Sequence, residues 1–371
     1  MFSGRQFINY EARLAALRRR IFCIVIGMTL IGLLLIYDAS SVYAFRNFAD
    51  AMLFFKRQVV FVALGIMAFI VALHLNLYFL KKHSGLLLFL GAVLLVLVLM
   101  FGVTSGGAKR WLKFGVIGFQ PSEVMKIIFL IYLADYFSRK KTLMKDFFRG
   151  VLPVLIVTGL IAGLIFMEPD FGNAVFFGFI LLLFLFVSKV PKKYLGMLIL
   201  AGLVVFAVLI FSSPYRTERV MSYLNPWKDR QGAGFQLVQS QIGVGSGGQF
   251  GAGLGESKQK LFFLPAAHTD FIFAIIAEEL GFFGGFLIIF LYLAVFFQGV
   301  KMLRWADGLF GFYLGWGALM VIISQALINI AVVIGIFPTK GLPLPFISYG
   351  GSSVVVSYIL LGLLFNVTRV R

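Results

Sequence analysis

Ten apolar runs divide this chain, at 21–40, 59–80, 84–104, 122–137, 150–167, 173–188, 195–212, 271–298, 308–335 and 352–367. Each is about 16 to 28 residues long, enough to cross or tilt across a hydrocarbon core about 30 Å thick. A backbone that bonds to itself as a helix leaves no polar group unsatisfied there. The expected fold is therefore all-α: one polytopic membrane domain over 1–371, with about ten transmembrane helices. A large extracellular loop, 213–269, is expected between helices 7 and 8. Composition agrees, since 61% of residues are hydrophobic and 13% charged, with a mean hydropathy of +0.99, against roughly half apolar in a soluble domain.

The formal net charge of +18 would suggest nucleic acid in a soluble protein. In a membrane protein it follows from basic cytoplasmic loops facing anionic lipid. The basic residues form no continuous patch, so a nucleic-acid partner is not expected. The single cysteine, Cys23, lies inside the first run. An intrachain disulfide, a Cys/His metal cluster and a thiol redox pair are excluded.

Counting Lys and Arg in alternate segments orients the chain. One side carries 19 of the 33, the other 13, and Lys126 lies within a run. Six of the 13 fall in the 213–269 loop, which the positive-inside rule discounts as too long, leaving 19 against 7. Both termini are expected in the cytoplasm and the long loop outside. The first run follows Arg18-Arg19-Arg20, and Val42-Tyr43-Ala44 resembles a cleavage site. The run is longer than a signal core, so a retained helix is expected.

The outward segments hold the chemistry. From Phe262 to Gly281 the chain carries three carboxylates. Asp270 lies where a polar loop meets an apolar helix, and Glu278 and Glu279 follow about 12 Å deeper at 1.5 Å per residue. Asp270 can be a catalytic group or simply a first-turn Asp favoured by the helix dipole. The dipole lowers its pKa and partial burial raises it.

Glu123 and Lys126, three apart, share a helix face and can pair, as structure or as part of a functional cavity. Ser122 is the expected N-cap of their helix. Before it, Lys109-Arg110-Trp111-Leu112-Lys113 reads as an interfacial segment lying on the bilayer, with Trp111 as an aromatic-belt anchor in the plainer reading. In Glu168-Pro169-Asp170-Phe171-Gly172-Asn173 the Asp170 carboxylate can cap the next helix or take a cation or hydroxyl.

Within the long loop, 234–243 reads as an amphipathic helix with Phe235, Val238 and Ile242 on one face. Between Gly243 and Gly255 seven of thirteen residues are glycine, which lets backbone approach a ligand closely. Gly243, Gly245 and Gly248 match G-x-G-x-x-G, but no strand precedes them and the loop faces away from cytoplasmic nucleotides, so no dinucleotide site is expected. The proline-rich segment 338–353 is expected as a fixed irregular chain in or over a cavity. Spacings such as Gly281-x-x-x-Gly285 and Gly311-x-x-x-Gly315 are expected to serve packing within the chain.

Taken together, Gly107-Ala108-Lys109-Arg110-Trp111, Gln120-Pro121-Ser122-Glu123, Glu168-Pro169-Asp170, Asn225-Pro226-Trp227, the His268-Thr269-Asp270-Phe271 stretch after Leu264-Pro265, and Pro338 through Ser353 resemble the SEDS family. That family comprises FtsW, RodA and SpoVE. The motifs stand in family order along nearly the whole chain, and Pro338-Thr339-Lys340-Gly341-Leu342-Pro343 is most like the FtsW and SpoVE branch. Departures are mild: Ala266 stands where a Glu is common, Phe171 and Asn173 vary their motif, and Ile336-Phe337 replaces Leu-Leu.

The resemblance implies a peptidoglycan glycosyltransferase that polymerises lipid II outside the bacterial plasma membrane, in cell division or sporulation. It implies Asp270 as the catalytic base of a single inverting displacement. Lys109, Arg110, Trp111, Glu123, Lys126, Glu168, Asp170, His268, Lys340 and Ser348 are implied as substrate-binding or supporting residues. A divalent cation, Mg or Mn, would be held by Asp270 or Asp170; no nucleotide cofactor is expected, and no P-loop pattern occurs. Implied partners are lipid II and its polyprenyl-linked glycan, a class B penicillin-binding transpeptidase, and divisome or sporulation membrane proteins. A lipid II flippase, using Glu278, Glu279, Glu123 and Lys126 as a polar path, and a non-catalytic scaffold are the alternatives.

Overall fold

A computed structural model describes residues 4–105, 108–114, 117–232, 234–264, 267–338 and 341–369. Every apolar run falls on a helix. In chain order these are α1 (Gly4–Phe48), α2 (Leu53–His74), α3 (Leu77–Lys82), α4 (Ser84–Phe101), α5 (Pro121–Arg139), α6 (Leu152–Met167), α7 (Phe171–Val187) and α8 (Lys192–Phe211). After α9 (Pro214–Leu224) and α10 (Phe235–Ser246) in the long loop come α11 (Ile272–Leu303), α12 (Gly308–Val333) and α13 (Gly351–Asn366). Among the described residues seven helices are long and apolar enough to cross a membrane, and α7 and α13 are shorter apolar ones. The protein is a multi-pass membrane protein.

The core lies between α5, α12 and α13, whose faces are buried nearly all round. Around them, α2 packs on α13, α4 on α5 and α1 on α11. The contact of α2 with α13 is close because Gly65 sits under the Tyr358 ring and Gly362 under the Ala72 methyl and the Phe69 backbone. The peripheral helices keep one apolar face outward, as Leu86, Phe89 and Leu90 do on α4. On α8 almost the whole surface is open, with only Ile210 buried. Lipid is as apolar as these side chains, so such faces need no protein partner.

Local chemistry explains where several elements end. The run 59–80 is not one helix: α2 stops at His74, and the Asn76 side chain accepts from the Tyr78 and Phe79 N–H groups to start α3. Asn366 on α13 donates to Ala72 O and Leu75 O at 2.8 and 2.9 Å, satisfying carbonyls freed at that corner. Ser122 does not cap α5. Gln120 occupies that position, Pro121 takes the first turn with its preset φ, and the Ser122 hydroxyl is buried without a partner among the described residues.

The segment before α5, expected to lie along the interface, forms a three-stranded antiparallel ribbon, β1 (Val103–Ser105), β2 (Ala108–Phe114) and β3 (Ile117–Phe119). Strand pairing satisfies its backbone where the chain must turn over the bundle end.

The long loop also differs from expectation. On α10 the buried residues are Leu237, Val238, Ser240 and Gly243, while Ile242 is exposed. A helix pressed on both α11 and α12 buries a face that a three-residue apolar count does not reveal.

Gly281 is not a helix-packing glycine but a break in α11, at φ 67° and ψ −162°. The glycine-rich segment 248–253 fills that break. Glu278 O and Glu279 O accept from Ala252 N and Gly253 N, and Phe282 N and Phe283 N donate to Gly248 O and Gln249 O. Those four groups would have bonded to one another in an unbroken helix, so the exchange leaves none unsatisfied. The Gly311 and Gly315 pair does pack within the chain, against Val367, Leu303 and Leu364.

Candidate active site

At the end of the bundle bearing Asp270 lies a cavity of about 890 Å³. Its walls come from α2 (Lys56, Arg57, Val60, Phe61, Leu64), the ribbon (Arg110, Trp111, Lys113, Gly118), the start of α5 (Gln120, Glu123), Asp170, Thr269–Asp270 and the 341–353 segment. Four cations and three carboxylates thus face one space beside an apolar strip on α2. Such a surface suits an anionic headgroup with a lipid tail.

Asp270 precedes the first turn of α11. Gly341 lies against its carboxylate: a Cβ at Gly341 would sit 3.0 Å from Oδ2. Burial, and then the nearby Asp170 charge, push its pKa up to about 6, against the opposing Arg110. Burial therefore overcomes the helix dipole, and the group can hold or release a proton near neutral pH.

Asp170 caps α7, accepting from Asn173 N at 3.2 Å and from Asn173 Nδ2 at 2.9 Å. Arg110 ties the ribbon to the α6–α7 corner, donating to Glu168 O at 3.4 Å and to Pro169 O, with Nε 3.9 Å from the Asp170 carboxylate. Glu168 is wholly buried and neither carboxylate oxygen has a partner among the described residues. Burial, and secondly Asp170, raise its pKa to about 8, so it is held neutral at pH 7.

Glu123 and Lys126 pair at 2.6 Å, both buried. Lys126 also donates to Gln325 at 3.2 Å and lies over the Phe176 ring. Glu123 lines the cavity while Lys126 supports it from beneath. Trp111 lines it too, its ring over Gly118. Lys109 is exposed, away from the lining.

Two sequence candidates have framework positions. His268 packs against Phe54, Tyr43 and Tyr349, its carbonyl accepts from Tyr349 N, and burial lowers its pKa to about 4. Ser348 is buried and accepts from Leu344 N at 2.9 Å, closing the turn of the last segment. Lys340 lies outside the described residues.

Glu278 and Glu279 are buried against the long loop. Glu278 accepts from Ser257 Oγ, Lys258 N and Gln259 N, and Glu279 from Ser257 N and Lys260 Nζ, which also reaches Asp38 at 2.7 Å. Both carboxylates hold the long loop onto α11.

Sequence reading missed Lys56 and Arg57, which continue an apolar run and look like its flank. It also missed Gln325 and Asn329, although polar residues in a membrane helix are rare enough to signal a role. Among the described residues no cluster of three His, Cys, Asp or Glu could hold a metal.

Comparison with known proteins agrees with the motifs. The model of a family described as cell cycle protein, FtsW, RodA and SpoVE, matches residues 18–371. Stage V sporulation protein E of Bacillus subtilis is 40% identical over 341 residues, covering 91% of this chain and 93% of its own. A probable peptidoglycan glycosyltransferase FtsW of Coxiella burnetii is 39% identical, covering 92% and 93%. Among solved structures, the rod shape determining protein RodA of Thermus thermophilus has a TM-score of 0.70 at 26% identity, covering 94% and 95%. A chain from a study of "structural coordination of polymerization and crosslinking by a peptidoglycan synthase complex" has 0.78 at 27%, covering 94% and 96%. Sequence and fold together place this chain in the FtsW, RodA and SpoVE family of cell-cycle proteins.

Proposed function

We infer that this chain is a peptidoglycan glycosyltransferase that polymerises lipid II, with Asp270 as general base. The observation that carries the reading is one buried carboxylate with a pKa near 6 in a cation-lined cavity that continues into an apolar strip. The relatives named probable peptidoglycan glycosyltransferase support the reaction class.

The acceptor sugar's 4-hydroxyl oxygen attacks the donor's anomeric carbon as Asp270 takes the hydroxyl proton. The bond from that carbon to the diphosphate breaks, and its electron pair leaves with the polyprenyl diphosphate. One inversion turns an α-linked donor into a β-linked glycan, so no covalent sugar adduct is needed. Lys56, Arg57, Arg110 and Lys113 offset charge on the diphosphate, and Val60, Phe61 and Leu64 line the way for the tail.

Asp270 and Asp170 supply two carboxylates to one cavity, too few for an all-protein metal cage. They fit a Mg or Mn ion that takes its remaining ligands from phosphate and water. Bound there, it would offset diphosphate charge.

The reaction side is the outer face, with both termini cytoplasmic. The natural assembly is with a class B penicillin-binding transpeptidase and further division or sporulation membrane proteins. One structural neighbour comes from a peptidoglycan synthase complex.

The test is polymer formation from lipid II in detergent, where no sidedness exists, by purified protein with its transpeptidase partner. Product distinguishes the enzyme from a flippase or a scaffold. Asp270→Asn should keep partner binding and lower turnover by roughly 10² to 10⁴, as for a lost general base. Near-normal polymer from that variant overturns the assignment.

A further inference from the structure

Two amides on α12 are buried in a predominantly apolar helix. Gln325 is 3% exposed and Asn329 1%. Four residues apart, they stand on one helix face, one turn from each other. A buried amide in such surroundings is costly unless its hydrogens are bonded, and the bonds these two make converge on the cavity.

Asn329 Nδ2 donates one hydrogen to Asp270 O and the other to Leu342 O, each at 2.7 Å. Both acceptors are carbonyl oxygens, so only the NH2 end can face them and the amide's orientation is determined. Its own Oδ1 is buried with no partner among the described residues, so the side chain serves the two carbonyls alone. Gln325 Nε2 donates to Pro343 O at 2.9 Å, while its Oε1 accepts from Lys126 Nζ, the ammonium paired with Glu123.

Three walls of the cavity are thereby tied to one face of one helix: Asp270, the segment over Gly341 to Pro343, and Glu123 through Lys126. Gly341 is the residue against the Asp270 carboxylate. Leu342, held by Asn329, therefore sets how near the last segment approaches that carboxylate.

We propose that Asn329, seconded by Gln325, is a positioning residue for the glycosyl-transfer site, clamping the Asp270 backbone and the 341–343 segment so that the Asp270 carboxylate meets the acceptor hydroxyl. It touches neither substrate nor reacting atoms, and it acts through Asp270. The proposal rests on Asp270 being the base.

Asn329→Ala removes the clamp. Asn329→Asp keeps the shape but turns two donated bonds into oxygen facing oxygen. Gln325→Met removes the second anchor without shortening the side chain. Leu327→Ala, at an exposed position of the same helix, is the control. Each is assayed with its transpeptidase partner for lipid II polymerisation, partner binding and thermal unfolding.

Both Asn329 variants should fold and bind the partner with kcat lowered about 10²-fold, as misplacement by about 1 Å can do, while KM stays within about threefold. Gln325→Met should lower kcat less, and Leu327→Ala should match wild type. In an Asp270→Asn background Asn329→Ala should add little further loss, because its effect runs through the missing base.

Wild-type kcat in a folded Asn329→Asp or Asn329→Ala protein, beside an inactive Asp270→Asn, overturns this proposal alone. The same fractional loss with and without the Asp270 carboxylate does so too. Near-normal turnover by Asp270→Asn removes the base and this proposal with it.

Discussion

Asp270 lies where two fields oppose each other. A helix N-terminus and Arg110 favour its charged form; burial and Asp170 disfavour it and win, bringing the pKa to about 6. A base acts when deprotonated, so activity should rise with pH. We expect kcat/KM for lipid II polymerisation to climb about tenfold per pH unit below pH 6 and level off above it. A flat profile from pH 5 to 8 would contradict the role.

Burial raises the Glu168 pKa as well, but its consequence is a stability that falls as pH rises. Its folded pKa, about 8, stands above the ordinary 4.5, so the folded state holds a proton that the unfolded state has lost between these values. The stability this contributes is complete below pH 4.5 and falls away as pH rises to 8. Glu168→Gln, neutral throughout, should therefore have a Tm advantage over wild type that grows from pH 5 to pH 8. Unfolding scans in detergent at several pH values check it, and a gap independent of pH would refute a buried neutral acid.

The Glu123–Lys126 pair is buried and close. Removing one partner strands a charge at a cost of about 3 to 5 kcal/mol. Glu123→Gln with Lys126→Met should then be less destabilised than either single variant, and strictly additive Tm losses would argue against coupling.

Among the elements, α11 carries the clearest constraint. Its break at Gly281 uses a backbone conformation open almost only to glycine. The strap fits so closely that a Cβ at Gly281 would lie 2.3 Å from Gly251 N, and one at Gly251 2.0 Å from Glu279 O. Gly281→Ala should cost at least the roughly 1 to 3 kcal/mol of such backbone strain, seen as a lower Tm and reduced yield. Gly27→Ala, with open space around it, should be neutral. Because 248–253 and Glu278 with Glu279 hold the loop that leads to Asp270, the Gly281 variant should also lose activity before it loses partner binding.

Over the whole molecule, the excess of Lys and Arg in one set of connections predicts that the 213–269 loop faces outside. With Cys23→Ser as background, a cysteine replacing Arg230 should react with an impermeant maleimide in sealed cells, and one replacing Lys145 only after permeabilisation. The reverse pattern would invert the protein and remove the site from the face where lipid II is joined.

The membrane class, the ten helical runs, the family and the pairing of Glu123 with Lys126 were all legible in the chain. Each depends on local composition, on a fixed helical period or on contiguous motifs. What the sequence did not determine was decided by contacts between distant segments. Burial among several elements, not the adjacent helix, sets the Asp270 pKa. Glu278 and Glu279 look like charges in mid-membrane until the loop that covers them is folded back. Lys56 and Arg57 become cavity walls, and Gln325 and Asn329 become anchors, only when α2 and α12 pack beside the last segment. Hydrogen bonding and desolvation depend on which groups meet in space, and that is a property of the packed bundle.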